Sequence, residues 1–154
     1  MVALRGAATA AIEAPGETIQ KGVEYYKSCF SPGGGFGYTN ASATNPTRAG
    51  IGLLVLSLSG AYRAPETKAT ADYLYYAGTE RGGHYYYMCY YASQAMRQAG
   101  GKYWAHWNRT VTPELIGRQY DDGSWSGGRD AALDTAFALL SIEINYDYLP
   151  IYQR

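Results

Sequence analysis

The stretch RQYDDGSWSGG, residues 118–128, gathers an amide, two carboxylates, three glycines and a tryptophan. It has two interpretations: an active-site loop with paired carboxylates, or a structural corner that recurs along the chain. Two other glycine-rich stretches also lead into an aromatic residue, SPGGGFGYT at 31–39 and AGTERGGHY at 77–85. The three aromatic residues, Phe36, Tyr85 and Trp125, are spaced 49 and 40 residues apart. A period in the forties predicts a repeat array, which favours the corner.

Helical patterns fill the chain between these corners. Segments 16–30, 65–78 and 102–119 carry an apolar stripe on one side, whereas 47–60, 85–101 and 130–144 are apolar around most of their circumference. A one-sided stripe predicts a surface helix, and an all-round apolar pattern predicts a buried one. Within 102–119, Thr112 and Pro113 predict a kink or a restart. The sequence therefore predicts three hairpins, each pairing an exposed helix with a buried one.

No segment has a convincing strand pattern, so the predicted fold class is all-α. We expect a single α/α-repeat domain over 16–154, after an extended segment at 1–15 and with an extended aromatic tail from residue 145. A chain of 154 residues fits one domain with a core of its own. The longest apolar run, 51–58, is too short to span a bilayer.

Composition excludes some partners. The 13 basic and 13 acidic side chains balance, and no basic stripe appears, so we expect no nucleic-acid partner. Only 17% of the residues are charged, while 17 are tyrosine. Tyrosine has a large apolar ring with a polar tip, which predicts an aromatic surface or a lined cavity.

The segment QYDDGSW resembles the QW motif of squalene and oxidosqualene cyclases and of related prenyltransferase repeats, with Gln119, Gly123 and Trp125 at the motif positions. The stretch PGGGFGYT resembles a weaker copy, in which Gly35 precedes Phe36 and Cys29 or Ser28 stands where the glutamine would be. Segment 85–108 and the closing YLPIYQR also look like that family.

The resemblance covers roughly 16–154 and implies an α/α toroid, of which three hairpins would form a partial barrel. It also implies roles for the motif: the glutamine caps a helix end while the tryptophan stacks beside it. The aspartates Asp121 and Asp122 then act as turn residues.

Enzymes that share the toroid carry recognisable acid or metal motifs, and this sequence lacks them. It has no D-x-D-D acid motif, no D-D-x-x-D motif, and no clear zinc grouping among its cysteines and histidines. The weak catalytic candidates are Asp130 and Asp134, near the start of the last inner helix, where a desolvated carboxyl could act as a general acid. Their other interpretation is helix capping and pairing with the helix dipole, which first-turn carboxylates commonly provide. We expect no cofactor and no metal.

Other residues have both a functional and a structural interpretation. Tyr86 and Tyr90 either line a cavity for an apolar or sugar ligand or pack a core helix. The histidines His84 and His106 have no partner visible in the sequence, which argues against a catalytic role. Glu143 interrupts an apolar run and needs a partner or a place at the helix end.

Cysteine and sequon patterns leave the compartment open. Cys29 and Cys89 form either one disulfide or two buried thiols. Asn40 and Asn108 lie in glycosylation sequons, which weakly favours an exported or cell-surface protein.

The size of the array suggests a function. Three hairpins make about half a ring, which leaves apolar ends without a polar capping repeat. Exposed apolar ends mark interfaces. The favoured hypothesis is therefore a non-catalytic structural or interaction module that assembles with itself as a dimer or filament. The alternatives are a cyclase-like enzyme or binding fragment for an isoprenoid or other apolar ligand, and a glycosylated surface module.

Overall fold

The computed structural model describes residues 1–79, 84–127 and 130–146. They form seven α-helices: α1 (Val2–Thr9), α2 (Gly16–Ser28), α3 (Pro46–Leu58), α4 (Pro65–Ala77), α5 (Tyr85–Ala99), α6 (Gly101–Ile116) and α7 (Ala131–Glu143). A 3₁₀ turn follows at Ile144–Tyr146. Within the described ranges no strand forms, and isolated bridges join Phe36 to Phe30 and to Asn45. The all-α prediction is confirmed.

The helices begin and end where the local chemistry requires. The side chain of Asn45 accepts a hydrogen bond from the backbone N–H of Arg48 at the start of α3, and Asp130 does the same for Leu133 in α7. Proline occupies the first turn of α3 and α4, where its missing N–H costs nothing. Gly78, with φ +65°, ends α4.

The helices α3, α5 and α7 form an inner row in which α5 packs between the other two. α4 packs on α3, α5 and α6, and α6 also contacts α7, so α4 and α6 form an outer row. One polar contact ties the two rows together, and another joins the two outer helices. The indole Nε1 of Trp107 in α6 donates to Ser93 Oγ in α5 at 3.0 Å. The hydroxyl of Tyr103 in α6 donates to Asp72 Oδ1 in α4 at 2.7 Å. This arrangement is that of an array of helical hairpins.

The apolar residues of α3 and α5 form the core, as their all-round apolar patterns predict. Leu53, Leu56, Met88 and Met96 are fully buried. Gly50 and Gly52 allow α5 and the Phe36 ring to approach α3 closely. A Cβ on Gly50 would lie 3.0 Å from the Ala92 backbone, and one on Gly52 would lie 2.5 Å from the Phe36 ring. The inner row is thus held together by close backbone contact as well as by apolar burial.

The structure departs from four sequence predictions in whole or in part. Segment 1–15 is not simply extended, because α1 forms at Val2–Thr9 and packs on α3. Pro113 does not restart the helix, because α6 runs unbroken through it. The predicted tail begins with the 3₁₀ turn, and its remainder, 147–154, lies outside the described residues. α7 is not buried all round, since Leu133 and Leu139 are both 43% exposed.

Candidate functional site

The corner at 118–128, which we call the second corner, is a structural tie between α6 and α7. Trp125 is buried, and its Nε1 donates to the carbonyl oxygen of Leu115 at 2.7 Å. That carbonyl lies in the last turn of α6, where intrahelical partners run out. The backbone N–H of Trp125 donates to Thr135 Oγ1 at 2.9 Å, which ties the corner to α7. The structure thus supports the structural interpretation of this stretch.

The glutamine does not have the role that the resemblance implied. Gln119 is exposed, and its Nε2 donates to the carbonyl oxygen of Gly123 at 2.9 Å, inside the corner itself. The tryptophan satisfies the helix-end carbonyl, and the glutamine closes the turn. Gly123 has φ +84°, a conformation that favours glycine. Asp122 accepts from the Ser124 hydroxyl and backbone N–H, and these hydrogen bonds hold the pKa of its carboxyl below the ordinary value.

The corner at 31–39, which we call the first corner, has the same backbone conformation and hydrogen bonds. The N–H of Ser31 donates to the carbonyl of Gly35, and the N–H of Gly34 to the carbonyl of Ser31, at 2.9 and 2.8 Å. Tyr120, Gly123 and Ser124 make the same two bonds, each at 2.9 Å. Gly34 has φ +91°, matching Gly123, and Phe36 is buried like Trp125.

This correspondence corrects the sequence alignment of the corners. Phe36 and Trp125 are 89 positions apart, so the residue equivalent to Gln119 is Phe30, rather than Cys29 or Ser28. Phe30 makes an edge-on contact with Phe36, with ring centroids 5.5 Å apart. The remaining predicted corner, at 77–85, differs from these two. Tyr85 is the first residue of α5, and residues 80–83 lie outside the described part of the chain.

The two catalytic candidates make structural contacts. Asp130 is exposed at the N-cap of α7, and its Oδ1 accepts from Leu133 N at 3.0 Å. Asp134 is only 3% exposed, and its Oδ2 accepts from Gly127 N at 2.7 Å. Both carboxylates thus accept hydrogen bonds from backbone N–H groups, but only Asp130 caps α7 as the structural interpretation predicted. Glu143 is exposed and ends α7, one of the two places expected for it.

The two tyrosines proposed to line a cavity pack against other side chains. Tyr86 is 4% exposed and lies against Gly127, where a Cβ would come within 3.1 Å of its ring. The Tyr90 ring lies 5.2 Å from the Phe137 ring and 4.9 Å from that of Tyr91. Burial raises the pKa of Tyr91 to about 12. These rings join α5 to α7, and neither Tyr86 nor Tyr90 lines the two cavities described below.

The histidines and cysteines form no cluster. His84 precedes α5, and the ring of His106 lies 4.3 Å from that of Tyr75. No group of three metal-ligating side chains occurs within 1–79, 84–127 and 130–146. Cys29 and Cys89 are both free, buried thiols, which resolves the disulfide question in favour of the reduced state. Burial raises the pKa of Cys89 to about 12, so its thiol stays protonated at neutral pH.

The two sequons have different environments. Asn40 is exposed in the first corner loop, and its Oδ1 accepts hydrogen bonds from Ser42. Asn108 lies within α6, half-buried, and its Oδ1 accepts from the Thr112 hydroxyl at 2.6 Å. A glycan acceptor is a surface-loop residue, so Asn40 is the better placed of the two. Among the described helices, none has the length and hydropathy needed to cross a membrane.

One end of the inner row has an open apolar surface, of the kind that the size of the array led us to expect at its ends. The side of α7 opposite its buried residues Asp134, Ala138 and Ser141 is apolar and open. We call this side the α7 face; it comprises Ala132, Leu133, Ala136, Leu139, Leu140 and Glu143. Its only charge is Glu143. An all-round apolar helix is normally buried, so the pattern of residues 130–144 by itself did not show which side of α7 would be exposed.

A cavity of about 290 Å³ opens beside the first corner. We call it the first-corner cavity; its walls include Tyr25, Tyr26, Cys29, Phe36, Arg48 and Ile51. A second cavity of about 320 Å³ lies between α1 and the C-terminal ends of α3 and α5, with Leu4, Leu58 and Gln98 in its walls. Neither was predicted, because each joins residues from several elements.

Comparison of the chain with protein-family models, curated proteins and solved structures finds no match.

Proposed function

We propose that the protein is a non-catalytic helical-repeat module that associates with a second copy of itself through the α7 face. The observation that carries the proposal is the open apolar side of α7. In the inner row α5 packs between two helices, whereas α7 has one inner-row neighbour, α5, among the described helices. This geometry also agrees with the resemblance to squalene cyclase and prenyltransferase repeats, in which inner helices pack side by side around an axis.

The geometry favours a closed pair over a filament. A filament needs a second, different surface for the α7 face to bind. The other end of the inner row offers none, since α3 is buried along most of its length and α1 packs against it. Two α7 faces related by a twofold axis need no further surface. The expected particle is therefore a dimer.

The size of the face predicts weak association. A helix of 13 residues is about 20 Å long, and a contact strip about 10 Å wide gives roughly 200 Å² on each partner. A stable complex commonly buries about 800 Å² per partner. Burying the remainder of Leu133 and Leu139, each 43% exposed, contributes about 1 kcal/mol per side chain. The dimer should therefore form only at high protein concentration.

The test is sedimentation velocity across a concentration series from micromolar to millimolar. The wild type should shift towards a dimer as concentration rises. Leu139→Glu should stay monomeric, because dimerisation would bury its charge unpaired. The matched control is Ile116→Glu, which places the same charge at an apolar side chain 56% exposed at the end of α6.

Circular dichroism should show that both variants keep the helical fold. A wild type that is monomeric throughout the series would refute the proposal. So would an Ile116→Glu variant that dissociates as readily as Leu139→Glu, because the interface would then lie elsewhere.

A further inference from the structure

The first-corner cavity has aromatic walls and one charged group. Tyr25, Tyr26, Phe36 and Ile51 line it, and Arg48 belongs to its wall. These residues come from α2, the first corner and α3. None comes from α7, so the cavity is separate from the surface proposed for self-association.

The Arg48 guanidinium is held in place without being neutralised. Its Nε donates to the carbonyl oxygen of Phe36 at 3.3 Å, and its Nη2 donates to that of Ala43. A guanidinium has five N–H donors, so three have no acceptor among the described residues. No carboxylate in the described ranges lies within ion-pair distance of it. The cavity therefore has a half-buried positive charge that lacks a counter-ion there.

Comparison of the two corners explains why the first has space. Cys29 and Arg118 are both followed seven residues later by the buried aromatic residue of their corner. The Arg118 guanidinium extends over the Tyr85 ring, 4.4 Å from its centroid. Cys29 is much smaller, and Phe36 has one ring where Trp125 has two. The first corner keeps the backbone of the second but fills less volume.

We propose that the first-corner cavity binds a small aromatic carboxylate. Its ring lies against the tyrosine and phenylalanine rings, and its carboxylate pairs with Arg48, whose planar fork suits two parallel hydrogen bonds to a carboxylate. The volume of about 290 Å³ is near the lower limit of ligand pockets, roughly 300 Å³, which suits an acid with a single ring.

The Cys29 thiol provides a reporter inside the cavity. It lines the cavity and is 2% exposed, whereas Cys89 is completely buried in the core. Iodoacetamide that enters the cavity can reach Cys29 there, so Cys29 should be alkylated before Cys89. Peptide mass spectrometry assigns the alkylation to each cysteine separately.

The experiment measures the alkylation rate of Cys29 with cinnamate, with neutral cinnamamide, and with neither. Cinnamate at ten times its dissociation constant should slow the reaction about tenfold, because about a tenth of the sites remain empty. Cinnamamide at the same concentration should protect far less, since it lacks the charge. Protection by the two compounds to an equal extent, or by neither, would overturn the proposal.

Two variants locate the site. Ile51→Trp should fill the cavity and abolish protection by cinnamate, while Tyr76→Trp, at a side chain 79% exposed on α4, should leave it unchanged. Arg48→Lys keeps the positive charge, so in this variant cinnamate should still protect Cys29 from alkylation better than cinnamamide does. If Ile51→Trp fails to fold, the comparison of cinnamate with cinnamamide on the wild type still decides. Undiminished protection in a folded Ile51→Trp variant would place the ligand elsewhere.

Discussion

Replacing Trp125 by phenylalanine should separate the roles of the two motif residues in the second corner. The variant keeps a buried aromatic ring, as the first corner does with Phe36, but it loses the hydrogen bond from Nε1 to the Leu115 carbonyl. A net hydrogen bond contributes about 1 kcal/mol. The smaller ring also loses apolar contact and leaves a gap, which costs about 1–2 kcal/mol. The free energy of unfolding should therefore fall by about 2–3 kcal/mol.

The matched variant is Gln119→Ala. Gln119 is exposed, and its hydrogen bond to Gly123 closes a turn that two backbone hydrogen bonds already hold. Its loss should cost no more than about 0.5–1 kcal/mol. Both values come from urea denaturation followed by circular dichroism at the helical band, a signal that does not depend on tryptophan fluorescence. If Gln119→Ala costs as much as Trp125→Phe, the tryptophan is not the tie between the corner and α6.

Three further predictions concern packing, capping and acid stability. Gly52→Ala should destabilise the protein by about 1–3 kcal/mol in urea denaturation, because its Cβ would lie 2.5 Å from the Phe36 ring; an unchanged midpoint would contradict this contact. Asp130→Ala should lower the free energy of unfolding by about 1 kcal/mol, whereas Asp130→Asn should be nearly neutral, because asparagine caps as well; equal losses would show that the charge matters rather than the cap. Asp72 should contribute stability above its ordinary pKa of 3.8, and this should be lost as the pH falls through the lower folded pKa, which hydrogen bonds from Lys68 and Tyr103 depress. Asp72→Asn should therefore lose less thermal stability than the wild type as the pH falls below 3.8. A pH profile of thermal stability identical to that of the wild type would exclude this role.

The sequence predicted the helices well because their signals are local. Pro65 and Gly78 mark the two ends of α4, and both lie where the structure begins and ends that helix. The corner of Trp125 was predicted as structural from its glycines and its spacing, and its hydrogen bonds agree. Local turn chemistry and apolar periodicity need only the residues concerned and their near neighbours.

The errors arose where a residue's environment depends on distant parts of the chain. α7 has the composition of a buried helix, but burial needs a neighbour on each side, and a composition does not show whether one is present. The hydrogen bond to the helix end was assigned to Gln119 instead of Trp125 because both side chains can bond a carbonyl, and only the geometry decides which one does. The first-corner cavity combines α2, a loop and α3, and its charge at Arg48 has no signature in the local sequence.

The matching corners bear on how the chain folds. In each, the hydrogen bonds close a loop of five residues, from Ser31 to Gly35 and from Tyr120 to Ser124. Closing so short a loop takes on the order of tens of nanoseconds and orders few residues. The contacts that α5 makes with α3 and α7 join residues far apart in sequence. We therefore expect the corners to form early and the docking of α5 between its two neighbours to limit the folding rate, so substitutions in α5 should slow folding more than substitutions in either corner.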